Sequence, residues 1–223
     1  LQICGWSNSA SVLEGVLQTM EAKGEWDKAA GWAIFHGRLQ RAIEALTNSK
    51  DEKLTLVSVA LAASNPQDTS PQSGVWRHLC RNLSADLHGP YLRAIFAYIG
   101  SGDWSAVLKL DDLSLRDRLG IALRFLGDDE LFRYIHDLAD HAVRQGQIEG
   151  ILLTGLTPRG IDLLGAYVDR TGDIQTACLV VSQTETRRFR DHRVDEWIDS
   201  YRRLLDRWRM YQHRALLDIA RGK

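Results

Sequence analysis

The chain has 223 residues, a hydrophobic fraction of 44%, a charged fraction of 26% and a formal net charge of -1. That length allows one or two compact domains or one elongated repeat array, and the near balance of charge excludes a general pull toward nucleic acid or acidic lipid. Cys4, Cys80 and Cys178 are the only cysteines and stand far apart, which argues against a disulfide framework and against a paired-cysteine metal motif.

A reducing compartment, cytoplasm or nucleus, is the expectation that follows. No run reaches the ~20 apolar residues that a membrane-spanning helix needs. The opening Leu1-Gln2-Ile3-Cys4 has no charged-then-apolar leader and no methionine, so the chain reads as a piece of a longer protein.

Apolar residues recur at intervals of three and four, the helical period, and no stretch alternates as a strand would. Ser9 or Ser11 is placed to cap a first helix bearing Val12, Leu13, Val16, Leu17 and Met20, which Gly24 ends. A second helix runs from Trp26 to His36 and stops at Gly37. A third carries Leu39, Ala42, Ile43 and Leu46. A fourth, over 54–63, is apolar nearly all round, as a core helix would be. Residues 64–74, with Pro66, Pro71 and Gly74, form the clearest loop. Helices are then expected near 75–86, 90–100 and 103–109.

Ser114 is placed to cap a helix bearing Leu115, Leu119, Leu123 and Leu126. Asp128 and Asp129 open the next, which runs to about Gln145 and is followed by a short helix over 147–153. Thr157 caps another, with Pro158 at its first position, where a missing N–H costs nothing. That helix carries Ile161, Leu164, Tyr167 and Val168 and stops at Gly172. One more covers 173–182, residues 183–191 are polar, and a single long helix is predicted over 193–221.

One corner recurs: a glycine, a polar residue, then a large apolar residue that opens the next helix. It stands at Gly24-Glu25-Trp26, Gly37-Arg38-Leu39, Gly102-Asp103-Trp104, Gly146-Gln147-Ile148 and Gly172-Asp173-Ile174. Glycine takes the left-handed conformation that ends a helix, and the apolar residue packs back on the helix just finished. The spacing of the corners is uneven, so no strict repeat is present. The expected architecture is all-α: an irregular α-solenoid of stacked antiparallel helix pairs ending in one long helix. It is read as one segment over 1–223, with 64–74 as the candidate sub-boundary.

Chemistry-bearing patterns are sparse. The sequence holds no Gly-x-Gly-x-x-Gly, no Gly-Lys-Ser/Thr phosphate loop and no His-Glu-x-x-His. His136 and Asp140 share a helix face, with His141 beside them, but no third ligand is evident. A solvated helix face competes with that metal site, and an enzyme built around it is one alternative. Cys178 lies in an apolar run, as a core thiol does. Asp111-Asp112 and Asp128-Asp129 suit the positive ends of helix dipoles. No catalytic residue, metal ligand or cofactor is therefore expected in this segment.

Residues 187–223 hold ten Arg and one Lys against six Asp and Glu, a local charge of +5. Aromatic residues interleave there, so a nucleic-acid-binding helical domain is the second functional alternative. Yet Trp197, Tyr201, Leu204, Trp208 and Tyr211 recur at four, three, four and three, one apolar stripe on one helix. Those five are the candidates for packing or for an interface with a partner protein.

Particular stretches carry a resemblance: GWAIFHGRLQRAIEAL at 31–46, RDRLGIALRFL at 116–126, RYIHDL at 133–138, EGILLTGLTPRGIDLLGAYVDRTGDIQTA at 149–177 and WIDSYRRLLDRWRMYQHRALLDIAR at 197–221. These resemble the helical middle region of the Mio (Mios) family, over about 26–221, with 64–74 the least typical part. The resemblance implies a non-catalytic scaffold in the SEA/GATOR complex, which relays amino-acid sufficiency to TOR kinase. It implies a cytoplasmic location, peripheral at the vacuolar or lysosomal membrane. The implied partners are other SEA/GATOR subunits, among them a nuclear-pore-type β-propeller protein, with no nucleic acid and no integral membrane segment. Family members also carry a WD-repeat propeller before this region and a zinc-binding RING-like domain after it. This chain has neither the blades nor the Cys/His ligands, so zinc binding does not transfer to its residues.

Overall fold

A computed structural model of the chain describes residues 6, 9–63, 78, 89–182 and 191–221. Among the described residues every regular element is helical. Packing divides the chain into two compact units, Leu1–Leu131 and Phe132–Lys223. That division falls inside a helix; the sub-boundary expected at 64–74 and the helix expected near 75–86 lie outside the described residues, His78 excepted.

The first unit holds α1 (Ala10–Ala22), α2 (Trp26–Phe35), α3 (Leu39–Asn48), α4 (Glu52–Ala63), α5 (Pro90–Ser101), α6 (Trp104–Leu108) and α7 (Leu115–Phe125). Its centre is α2, against which α1, α3 and α5 all pack. Three neighbours crowd this short helix, and Ala29, Ala30 and Ala33 are wholly buried there along with Phe35. A Cβ on Gly31 would lie 2.9 Å from the Tyr91 ring. The Tyr91 hydroxyl in turn donates to Asp117 Oδ2 at 2.8 Å, and the Ser114 hydroxyl donates to the same oxygen at 2.9 Å. Ser114 also accepts from the Asp117 N–H, so it caps α7 as its sequence position predicts.

Arg41 ties α3 to α1, with its guanidinium 3.0 Å from Glu14 and 2.7 Å from Glu21. Trp6 is buried against Phe35 and His36, and its indole occupies the place where a Cβ on Gly120 would stand. Trp104, the apolar member of one glycine corner, stacks on Tyr98 at 4.2 Å and on Phe125 at 4.1 Å.

Three local expectations are corrected in this unit. Ser9 precedes α1 but makes no side-chain cap bond. Asp111 and Asp112 sit in the turn before α7 rather than at a helix start, where Asp111 pairs with Arg118 and Asp112 with Arg93. α4 is not enclosed: Val57 and Leu61 face α3, while Leu56 and Val59 are exposed. Among the described residues the helix packs chiefly on α3, so an apolar run along its whole length does not make every face buried.

α8 (Asp128–Gln145) crosses the division, with Asp128 and Asp129 in its first turn as expected. The second unit continues with a 3₁₀ turn (Ile148–Gly150), α9 (Ile151–Thr154), α10 (Pro158–Thr171), α11 (Ile174–Val181), α12 (His192–Arg207) and α13 (Tyr211–Arg221). Thr157 caps α10 by accepting from the Gly160 N–H. The core gathers Ile161 and Leu164 of α10, Ala177, Cys178 and Val181 of α11, Trp197, Ile198, Tyr201 and Leu205 of α12, and Leu217 of α13.

The glycine corners take the expected form. Gly24, Gly37, Gly102, Gly146 and Gly172 all have positive φ. At Gly37 the Arg38 N–H bonds the Ala33 carbonyl and the Gly37 N–H bonds that of Ile34, the paired bonds of a Schellman motif. Gly24 and Gly146 repeat the pattern. At Gly102 and Gly172 a single bond runs back four residues instead.

The single long helix predicted over 193–221 is two helices. α12 ends at Arg207, and Arg209 takes φ 59°. The Met210 N–H bonds the Leu205 carbonyl at 2.8 Å and the Arg209 N–H bonds that of Asp206 at 3.0 Å. This is the corner seen at Gly37, built without glycine. A left-handed arginine costs about 1–2 kcal/mol that glycine would not, and that missing breaker is why the sequence reads as continuous helix.

Candidate interaction surface

The break at Arg209 divides the five stripe candidates. Trp197 and Tyr201 are each 8% exposed and belong to the core of the second unit. Burial pushes the Tyr201 phenol above its ordinary pKa. Leu204 is half-buried at the edge of that core. Trp208 at 57% and Tyr211 at 62% are exposed. The stripe is therefore core at its start and open surface at its end.

α13 adds to the open part. It buries Leu217, while Leu216 and Ile219 are exposed beside Met210 and Tyr211. Two ion pairs fix the helix to α12: Arg202 Nε lies 2.8 Å from Asp218, and Arg214 lies 2.5 Å from Asp206. Arg202 also reaches Asp199, and Arg193 bridges Asp191 and Asp162. The hydrogen bonds from Arg193 hold the Asp191 carboxyl below the usual range, and those carboxylates raise Arg193 in return. Arg193, Arg202 and Arg214 are thus paired in place, with Asp162 the one partner from outside residues 187–223.

Arg203 and Arg207 differ. Neither has a carboxylate partner among the described residues; Arg203 donates only to the Ser200 hydroxyl, at 3.0 Å. With Ile174, Ser200 and Leu204 they line an open groove of about 510 Å³ whose floor is mainly apolar. Ile174, Arg203 and Arg207 stand outside the apolar stripe. One signal was present: Arg207 has no acidic residue three or four positions away in either direction, so no local helix pair can satisfy it.

The other candidate chemistry is engaged elsewhere. His136 lies 3.6 Å from Asp140, but the Asp140 carboxylate also pairs with Arg159. Among the described residues no group of three or more His, Cys, Asp or Glu is arranged to hold a metal ion. Cys178 is fully buried in the core of the second unit, and Cys4 and Cys80 lie outside the described residues. No helix among the described residues is long and apolar enough to cross a membrane.

Helices joined by glycine corners, each packed chiefly on its chain neighbours, define an α-solenoid segment. A family model described as "MIOS, alpha-solenoid" matches residues 1–125, more than half of the chain. The chain belongs to the MIOS family. It is 42% identical over its whole length to SEH-associated protein 4 of Saccharomyces cerevisiae, covering 22% of that protein. It is 40% identical to GATOR2 complex protein MIOS-A of Xenopus laevis and 41% identical to GATOR2 complex protein MIOS of Danio rerio, in each case across the whole chain and 26% of the relative. The chain thus spans about a quarter of the length of the curated relatives it matches.

Proposed function

We propose that this chain is a non-catalytic interaction scaffold within a SEA/GATOR-type complex that relays amino-acid sufficiency to TOR kinase. In this reading it acts in the cytoplasm, peripherally at the vacuolar or lysosomal membrane, and needs no cofactor. Its partners are other subunits of the complex, among them a nuclear-pore-type β-propeller protein. The observation that carries the reading is identity of 40–42% along the entire chain to proteins named for a GATOR2 complex and for association with SEH. The placement of side chains agrees with it: Asp140 pairs with Arg159 and Cys178 lies in the core, while large apolar groups, and arginines with no carboxylate partner among the described residues, stand on the surface of α12 and α13. The ion pairs of Arg193, Arg202 and Arg214 weaken the nucleic-acid alternative, because a paired arginine has no free charge for phosphate.

Co-purification tests the reading. A tagged full-length protein should recover the complex subunits, and deletion of residues 1–223 should lose at least one of them. Recovery of the same subunits without this segment would contradict the proposal. Capture of RNA or DNA that dissociates steeply with salt would favour the alternative.

A further inference from the structure

The groove on α12 points to a more specific partner. We infer that it docks a helical segment of another protein that presents one large apolar side chain flanked by two carboxylates one turn apart. This rests on the scaffold reading and supplies the chemistry of one contact within it.

Arg203 and Arg207 stand four residues apart on α12, about 6 Å along the axis, and both are exposed without a carboxylate partner among the described residues. The nearest acids on α12 are unavailable, since Asp199 is held by Arg202 and Asp206 by Arg214. Asp173, next to Ile174 at the far wall, is also occupied: it accepts from Thr176 and from the Tyr167 hydroxyl. Asp195 and Glu196 lie about two turns earlier on α12, so the basic stretch begins at Arg203. Two carboxylates spaced i and i+4 on an approaching helix match this pair, and guanidinium binds carboxylate in a planar fork.

Between the arginines and α11 the floor is Leu204 and Ile174, both half-buried. A floor of that kind takes an aliphatic or aromatic side chain, the usual anchor of a helix laid in a groove. Trp208, one turn beyond Leu204 and itself 57% exposed, extends the apolar surface. Exposed tryptophan and arginine side by side are the residue types that dominate binding energy at protein interfaces. A phosphate backbone would use the arginines and leave the apolar floor empty, so a protein segment uses more of the site than a nucleic acid does.

The test uses the full-length protein in its assembled complex, with a photo-reactive phenylalanine analogue at position 200 in place of Ser200 on the groove wall. The expected product is one dominant cross-linked peptide that carries an apolar residue between two acidic residues at helical spacing. Arg203→Glu with Arg207→Glu should cut that cross-link by about tenfold or more, because like charges then face each other. Replacing the two acids of the captured peptide by lysine should restore it. Both arginines are exposed, so the double variant should keep the wild-type melting profile. A cross-link to nucleic acid, to a peptide without acids, or one unaffected by the double reversal would overturn the inference. Should the cross-link be absent while the subunits still co-purify, the groove is refuted and the scaffold stands. Loss of co-purification by the wild-type protein would strike the scaffold reading instead.

Discussion

The corners at Gly37 and Arg209 make the same two backbone hydrogen bonds and the same left-handed turn, yet only the first is visible as a corner in the sequence. At Gly37 a residue without a Cβ announces the break. At Arg209 the bonds, the flanking ion pairs and the burial of Leu217 hold an arginine in a conformation it does not prefer. The comparison teaches that helix ends are set by where the next helix can bury its face, and that a breaker residue eases the turn without being required for it. It also has a functional side. By turning at Arg209, the chain places Trp197 and Tyr201 in the core and leaves Trp208 and Tyr211 outside it.

The largest effect should separate the two ends of the stripe. Trp197→Ala should cost ~3–5 kcal/mol, whereas exposed Trp208→Ala should change stability by no more than ~0.5 kcal/mol; amide exchange of α11 and α12 reads both. Equal losses at the two tryptophans would mean that the stripe is one buried surface.

Gly146→Ala comes next. Its φ is 56° and an added Cβ would sit 2.7 Å from the Ala166 backbone, so the substitution should destabilise the second unit by about 1–3 kcal/mol. Gly37→Ala meets no atom within 4 Å and should cost only the conformational term, ~1 kcal/mol. The converse change, Arg209→Gly, should stabilise by ~0.5–1 kcal/mol, seen as a rise in the denaturation midpoint, since the residue gains the conformation that the turn requires. A loss on Arg209→Gly would show that the arginine side chain itself supports the corner.

The smallest effect concerns pH in the first unit. His36 is buried beside Trp6, and its Nδ1–H donates to the Trp32 carbonyl at 2.8 Å. Burial chiefly, with Arg124 and Arg38 adding to it, lowers its pKa from the ordinary 6.5. The unfolded chain therefore binds this proton first as pH falls. Stability from neutral His36 is complete above about 6.5 and is lost as pH drops below that value. His36→Gln should flatten this part of the pH–stability curve, measured by thermal melting at pH 5 to 8.

Much of the fold was legible because its signals are local. Glycine marks five corners, and Ser114 and Thr157 cap the helices their positions predict. What was hidden depends on distant partners. Nothing near Gly120 in sequence announces that the Trp6 indole packs on it. Likewise, the apolar run of α4 does not reveal that Leu56 and Val59 face outward. In the candidate site, the stripe marked Trp197 and Tyr201 as inward-facing on α12 but hid the turn that parts them from Tyr211. Ile174 joins the groove only through packing of α11 on α12, so no inspection of residues 193–221 alone could place it there.

Hydroxyl-radical footprinting of the full-length protein, alone and in its assembled complex, tests the division of the stripe most directly. Trp208, Met210 and Tyr211 should be oxidised rapidly in the isolated protein and protected on assembly, while Trp197 and Tyr201 react slowly in both states. Equal reactivity of Trp197 and Trp208 in the isolated protein, or unchanged oxidation of Trp208 after assembly, would contradict the account.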